Sequence, residues 1–217
     1  MKVRIGERDV GGGEPCWIVA EMSANHLKDF DKAVDIIRAA AESGADAVKL
    51  QTYTADTITI DCRDELFQIG RDSTWAGRNL HDLYNEAYTP WEWHPALMQA
   101  AEEKGLACFS SPFDRSAVDF LEDLSVPAFK IASFELVDLP LIRYAARKGK
   151  PMILSTGMAS LEEIEEAVEC VRSTGNRQII LLKCVSAYPA PPEEMNLRTM
   201  LDLQERFSCP VGLSDHT

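Results

Sequence analysis

Apolar residues recur at helical spacing along most of this chain, and each such stretch gives way to a glycine and then to a short apolar run. Asp31–Ser43 sets Val34, Ile37, Ala40 and Ala41 on one helical face, Gly44 follows as a C-cap, and Ala47–Gln51 reads as a strand. The same unit returns in Pro95–Lys104, Gly105 and Leu106–Phe109, and again in Leu139–Lys148, Gly149 and Pro151–Leu154. It returns once more in Ser160–Ser173, Gly175 and Gln178–Leu182, where Ser160 and Glu163 form a capping box and Arg172 sits in the last turn. Helices alternating with short apolar strands predict βαβ units and a parallel sheet. Seven strands are expected, starting near Trp17, Ala47, Leu106, Ala128, Pro151, Gln178 and Cys209.

No glycine-rich dinucleotide fingerprint follows the first strand, which argues against an open doubly wound sheet. The pattern predicts an α/β fold: a TIM (β/α)8 barrel lacking its last β/α unit. Val3–Ile5 and the Gly11–Gly13 turn predict a short hairpin over residues 1–14 that plugs the barrel bottom, with the barrel itself over 15–217. Between the second strand and the next helix lies an insertion from Thr54 to about Thr89, holding Trp75, Tyr84 and Tyr88, on the face where barrels do chemistry.

Composition narrows the partners. With 22 basic and 35 acidic residues the net charge is −13, which repels nucleic acid and anionic membrane surfaces. An anionic substrate would therefore need a few well-placed cations. Six scattered cysteines without a C-x-x-C pair read as reduced, inert, buried thiols of a cytoplasmic protein. No apolar run is long enough for a bilayer, and Met1–Gly6 opens no signal-peptide core.

Polar residues gather at the expected strand ends. They are Glu21 with Ser23, Asn25 and His26; Lys49 and Gln51; Ser110 and Ser111; Lys130, Ser133 and Glu135; Ser155; Ser186 and Tyr188; and Ser214, Asp215 and His216. Strand alternation puts Lys49 with Gln51 on one face and Lys130 with Ala132 and Phe134 on another. A lysine inside a barrel strand is costly unless it meets an anion. Lys49 and Lys130, with hydroxyls from Ser111, Ser133, Ser155 and Ser214, would hold a compact dianion such as a phosphate ester. Glu21 and Glu135 are candidates for proton handling. His81 and His94 read as structural, whereas His216, beside Asp215 at a strand end, reads as half of a metal site.

Six ordered motifs then resemble the sialic acid synthase family: Ala20–His26, Lys49–Thr52, Ser110–Phe113, Lys130–Glu135, Leu154–Met158 with Tyr188–Pro189, and Gly212–Thr217. The resemblance implies condensation of phosphoenolpyruvate with an acetamido sugar, giving a nine-carbon acid and phosphate. It implies a divalent metal, manganese or magnesium, and a homodimer completed by a C-terminal antifreeze-like domain. Carried onto this chain, Lys49, Ser111, Lys130, Ser133, Ser155, Ser186 and Ser214 would hold phosphoenolpyruvate. Gln51, Glu135, Tyr188 and Asn25 would face the sugar, Glu21 and Glu135 would serve the reaction centre, and His216 would bind metal. Glu21–His26 and Thr89–His94 are similar to the pseudaminic branch, which implies a 2,4-diacetamido-2,4,6-trideoxy hexose; the N-acetylneuraminate and legionaminic branches are the alternatives. The family's second metal-binding histidine and an arginine from the partner subunit do not occur in this sequence, so the expectation is a C-terminally truncated enzyme. Two other readings stay open: a Schiff-base aldolase using Lys130 or Lys49, and a barrel fragment without activity.

Overall fold

The computed structural model describes residues 1–70 and 75–217. Strands β1 (Lys2–Ile5) and β2 (Arg8–Gly11) form an antiparallel hairpin. The remaining elements are β3 (Val19–Glu21), α1 (Phe30–Glu42), β4 (Ala47–Thr52), α2 (Ala55–Ile58), α3 (Leu80–Ala87), α4 (His94–Glu103), β5 (Ala107–Pro112) and α5 (Arg115–Asp123). They continue with β6 (Phe129–Ile131), α6 (Leu139–Ala146), β7 (Met152–Ser155), α7 (Leu161–Arg172), β8 (Ile179–Cys184), α8 (Thr199–Phe207) and β9 (Val211–Ser214). Strands β3 to β9 form one parallel sheet in chain order. All seven strands lie where the apolar runs predicted them.

Burial explains the register. Val48 and Leu50 of β4 pack with Ile37 of α1 and with Leu97 and Ala101 of α4 in one apolar cluster. A larger cluster joins β5 to β8 with α5, α6, α7 and α8. Val3 and Ile5 of the hairpin belong to that larger cluster. Arg8 of β2 pairs with Asp46, just before β4, and a Cβ on Gly11 would stand 2.7 Å from Pro210, just before β9. The hairpin therefore lies across the N-terminal ends of the strands, opposite the face where loops can form a site.

Four expectations need correction. The hairpin turns at Gly6–Glu7; Gly11–Gly13 come at and after the end of β2. Helices α5 and α8 were not anticipated, because each stops at a serine in left-handed conformation, Ser125 (φ 57°) and Ser208 (φ 50°), where a glycine would have marked the end. Lys130 and Phe134 do not share a strand face: β6 ends at Ile131, and the 3-10 turn Phe134–Val137 leaves Phe134 exposed. All six cysteines are free, but Cys16 is exposed and Cys62 half-buried, so burial holds for the other four.

The insertion contains α2 and α3 and is pinned to the strand ends. The Trp91 indole donates to the Tyr53 carbonyl at 3.1 Å, and the Tyr84 ring meets Tyr53 edge-on at 5.6 Å. Residues 71–74 of the insertion lie outside the described residues.

Candidate active site

Parallel pairing forces paired residues onto the same face of a sheet, so the register says which polar side chains meet. Glu21 pairs with Lys49, and Gln51 with Ser111. Ser110 pairs with Phe129, which sets Ser111 beside Lys130 on the opposite face. Lys130 pairs with Ile153, two residues before Ser155; Ser155 pairs with Leu182, two before Cys184; Cys184 pairs with Ser214. One face of the sheet thus carries Glu21, Lys49, Gln51, Ser111, Lys130, Ser155, Cys184 and Ser214, all toward the C-terminal ends of their strands.

At one side of this row the Lys49 ammonium pairs with the Glu21 carboxylate and donates to Ser111 Oγ at 3.5 Å. Glu21 also accepts the Ser23 amide at 3.1 Å. Lys130 is only 7% exposed and forms no ion pair among the described residues. Burial, followed by the neighbouring Lys49 charge, pushes its ammonium down to about 7, against the opposing pull of Glu21. Burial raises the Glu135 carboxyl above the usual range, while Lys130 pulls it down. Glu135 Oε2 and Ser155 Oγ are buried without a hydrogen-bond partner. Orphaned buried polar atoms are rare in a folded protein, and two of them beside a buried lysine describe a place shaped for a polar ligand.

At the other side Ser133 Oγ accepts the Gly157 amide at 3.2 Å, and a Cβ on Gly157 would lie 2.4 Å from Ser186 Oγ. Only glycine lets both hydroxyls approach the backbone there. His216 Nδ1 donates to the Val185 carbonyl, 2.9 Å away, so in the neutral ring Nε2 keeps a lone pair. Ser214 Oγ lies 3.4 Å from that Nε2, and the Tyr188 ring stacks on the imidazole at 4.3 Å. Tyr188 is held above its ordinary pKa by burial and then by Cys184, Glu21 and Glu135, which ties the two sides of the row together.

The fit for a divalent metal is partial. His216 Nε2 is in the tautomer a cation needs, but Asp215 turns its carboxylate to the Thr217 amide at 3.0 Å. No group of three or more histidine, cysteine, aspartate or glutamate side chains able to hold a metal occurs among the described residues. The residues present supply one nitrogen and do not form a closed metal centre.

Of the predicted residues, Asn25 stands apart: it is exposed and its amide donates to the Met22 carbonyl at 3.0 Å, inside its own loop. His94 is buried between Thr52 Oγ1 (2.8 Å) and the Pro90 carbonyl (3.3 Å), and His81 pairs with Asp56 at 2.9 Å. Three participants were not foreseen. Cys184 counted as an inert thiol, although it ends β8 opposite Ser214, on the site face. Gly157 announces itself only through the two serines around it. Burial and then the Glu135 charge raise the Tyr84 hydroxyl, a coupling to the insertion that no local pattern shows.

The model of the NeuB family matches residues 36–217. The chain is 48% identical over 204 residues to the pseudaminic acid synthase of Helicobacter pylori, covering 94% of this chain and 60% of that protein. It is 44% identical over 201 residues to the pseudaminic acid synthase of Campylobacter jejuni subsp. jejuni serotype O:23/36, covering 93% of this chain and 58% of the relative. The crystal structure of N-acetylneuraminic acid synthetase from Leptospira borgpetersenii, in complex with citrate, superposes with a TM-score of 0.86 at 31% identity, covering all of this chain and 70% of that one. The chain thus spans about 60% of the length of the curated relatives it matches.

Proposed function

The chain belongs to the NeuB family, and on that footing we propose that it carries the phosphoenolpyruvate site of a nonulosonic acid synthase. We read its sheet as part of a (β/α)8 barrel whose C-terminal strand ends hold two substrates. The acceptor is 2,4-diacetamido-2,4,6-trideoxy-altrose, as the likeness to pseudaminic acid synthases suggests. The observation that carries the reading is the buried Lys130 beside Lys49, with Ser155 Oγ and Glu135 Oε2 left without partners.

In this reading Lys49 and Lys130 bind the phosphate and carboxylate of phosphoenolpyruvate, and Ser111, Ser133, Ser155, Ser186 and Ser214 add hydrogen bonds. Placing two anionic groups on one face of a chain of charge −13 requires those two ammoniums. Gln51, Tyr188 and Glu135 orient the sugar. Carbon 3 of phosphoenolpyruvate forms a bond to the aldehyde carbon of the open-chain sugar, whose oxygen takes a proton. Water then adds to carbon 2, and phosphate leaves with the C–O bond electrons, which gives the 2-oxo acid. Glu21 or Glu135 takes the proton of that water, and the rest of the rate gain comes from holding both reactants in contact. His216 Nε2 is assigned as one ligand of a divalent cation, which when bound would polarise the aldehyde oxygen. A homodimer and a cytoplasmic location belong to the same proposal; no described helix is long and apolar enough to cross a membrane.

The test is incubation of the purified chain with phosphoenolpyruvate, manganese and the trideoxy sugar, with phosphate release and the nonulosonic acid both measured. Equal or faster turnover of N-acetylmannosamine would replace the pseudaminic assignment with the N-acetylneuraminate one. The lowered ammonium of Lys130 also suits an imine-forming lysine. Loss of activity on borohydride treatment with pyruvate, at Lys130, would favour that second chemistry.

A further inference from the structure

We propose that His26 is a positioning residue for the Glu21 carboxylate, clasping the loop that follows β3 onto the insertion. The inference rests on the reading of Glu21 as part of the phosphoenolpyruvate site.

His26 is fully buried and both ring nitrogens are used. Nδ1 accepts the Lys28 amide at 3.0 Å, so the neutral ring carries its proton on Nε2 and donates to Thr89 Oγ1, also at 3.0 Å. Burial and the neighbouring Lys28 charge lower the imidazole's affinity for a second proton, which keeps Nδ1 free to accept. With no lone pair left over, His26 is not a metal ligand. The Trp93 ring meets it edge-on at 5.7 Å and fixes its plane.

The loop needs such a clasp. Three of its residues other than glycine, Ser23, Leu27 and Lys28, sit at φ of 48°, 50° and 55°, a region that side chains bearing a Cβ avoid. A strained run of this kind persists only where its surroundings fix it. Lys28 adds a second fastening, its ammonium donating to the Asn85 carbonyl at 2.7 Å and lying 3.9 Å from the centre of the Tyr88 ring. The loop's first turn begins at Ser23, whose amide holds Glu21 Oε1 while Glu21 pairs with Lys49. From Thr89 through His26 and the loop to Ser23, the contacts run to the ion pair at the centre of the site.

Thr89→Val removes the Nε2 acceptor at nearly constant shape, His26→Ala removes both contacts, and His26→Asn restores an acceptor for the Lys28 amide. Amide exchange at Ser23 should accelerate about tenfold or more in Thr89→Val and His26→Ala, and fall back toward the wild-type rate in His26→Asn. With rates normalised to the folded fraction, which removes any loss due to lower stability, kcat should drop about tenfold with the KM for phosphoenolpyruvate changed less than about threefold. Wild-type exchange at Ser23 in Thr89→Val and His26→Ala overturns the inference whether or not the chain turns over. A wild-type chain without turnover counts against the functional reading, and the exchange measurement still decides the role of His26.

Discussion

Replacing Lys130 by methionine keeps the unbranched stem and removes the ammonium, so it isolates what the buried charge does to the free protein. The lysine falls from its ordinary value of 10.5 to about 7 because burial strips water from the charge and Lys49 repels it. A fall of that size corresponds to about 5 kcal/mol of destabilisation wherever the lysine is protonated in both folded and unfolded chains. The sign follows from proton counts. Below pH 7 both states hold the proton and the full cost is present. Between about 7 and 10.5 the unfolded chain still holds it and the folded chain does not, so stability rises with pH; above 10.5 the cost is gone.

Lys130→Met should therefore be more stable than the wild type by about 5 kcal/mol at pH 6 and by about 2 kcal/mol at pH 9. Urea unfolding followed by circular dichroism at pH 6, 7.5 and 9 measures the gap directly. Phosphoenolpyruvate affinity, measured by calorimetry, should fall by about 100-fold at pH 7, since a charge-assisted contact to a dianion is removed. A gap that stays constant with pH, or a variant less stable than wild type at pH 6, would refute the claim that burial of a charge shapes this site. Stabilisation together with loss of binding marks a residue kept for its ligand, not for the fold.

Ser155→Ala should leave stability unchanged or raise it by up to about 1 kcal/mol, because its buried hydroxyl has no partner to lose, while phosphoenolpyruvate affinity drops about tenfold; a loss of more than about 2 kcal/mol in urea melts would show that the hydroxyl is bonded in the free protein. Gly157→Ala places a methyl 2.4 Å from Ser186 Oγ and 2.9 Å from Ser133 Oγ. It should weaken phosphoenolpyruvate binding more than Ser186→Ala does, and equal losses would mean the two hydroxyls do not converge on the ligand. His94 is pushed down to about 4 by burial, so the folded state resists a proton that the unfolded chain accepts near 6.5. Stability should fall by about 3 kcal/mol as pH drops from 6.5 to 4, and His94→Gln should flatten that part of the curve; an acid limb unchanged in the variant would refute it.

How far the sequence reaches is itself governed by physics. Strand periodicity is local, so Ala47–Thr52 shows in six residues both that a strand exists and that Lys49 and Gln51 lie opposite Val48 and Leu50. The same holds for Ser111, Ser155 and Ser214, whose places near the ends of their strands made the polar face of the sheet readable. Helix ends were readable where glycine supplied the left-handed residue, as at Gly44 and Gly105, and unreadable where Ser125 and Ser208 did so. Lys130 was placed correctly but its neighbours were not, because alternation has no meaning once β6 gives way to a 3-10 turn after Ile131.

Contacts between loops carry no period at all. His26 and Thr89 are 63 residues apart, and nothing around either residue announces the other. The same is true of the Tyr84 hydroxyl and the Glu135 charge that helps to raise it. Polar groups that stand on strands are therefore legible from the chain, whereas groups that hold those strands' loops in place are not. This difference explains why a resemblance built on motifs points to Glu21 and Lys49, which stand on strands, and leaves the fastening of Glu21 to be found in the fold. It also predicts where sequence reasoning should fail next in this site: at residues of the insertion over 54–89 whose partners lie on the loops after β3 and β6.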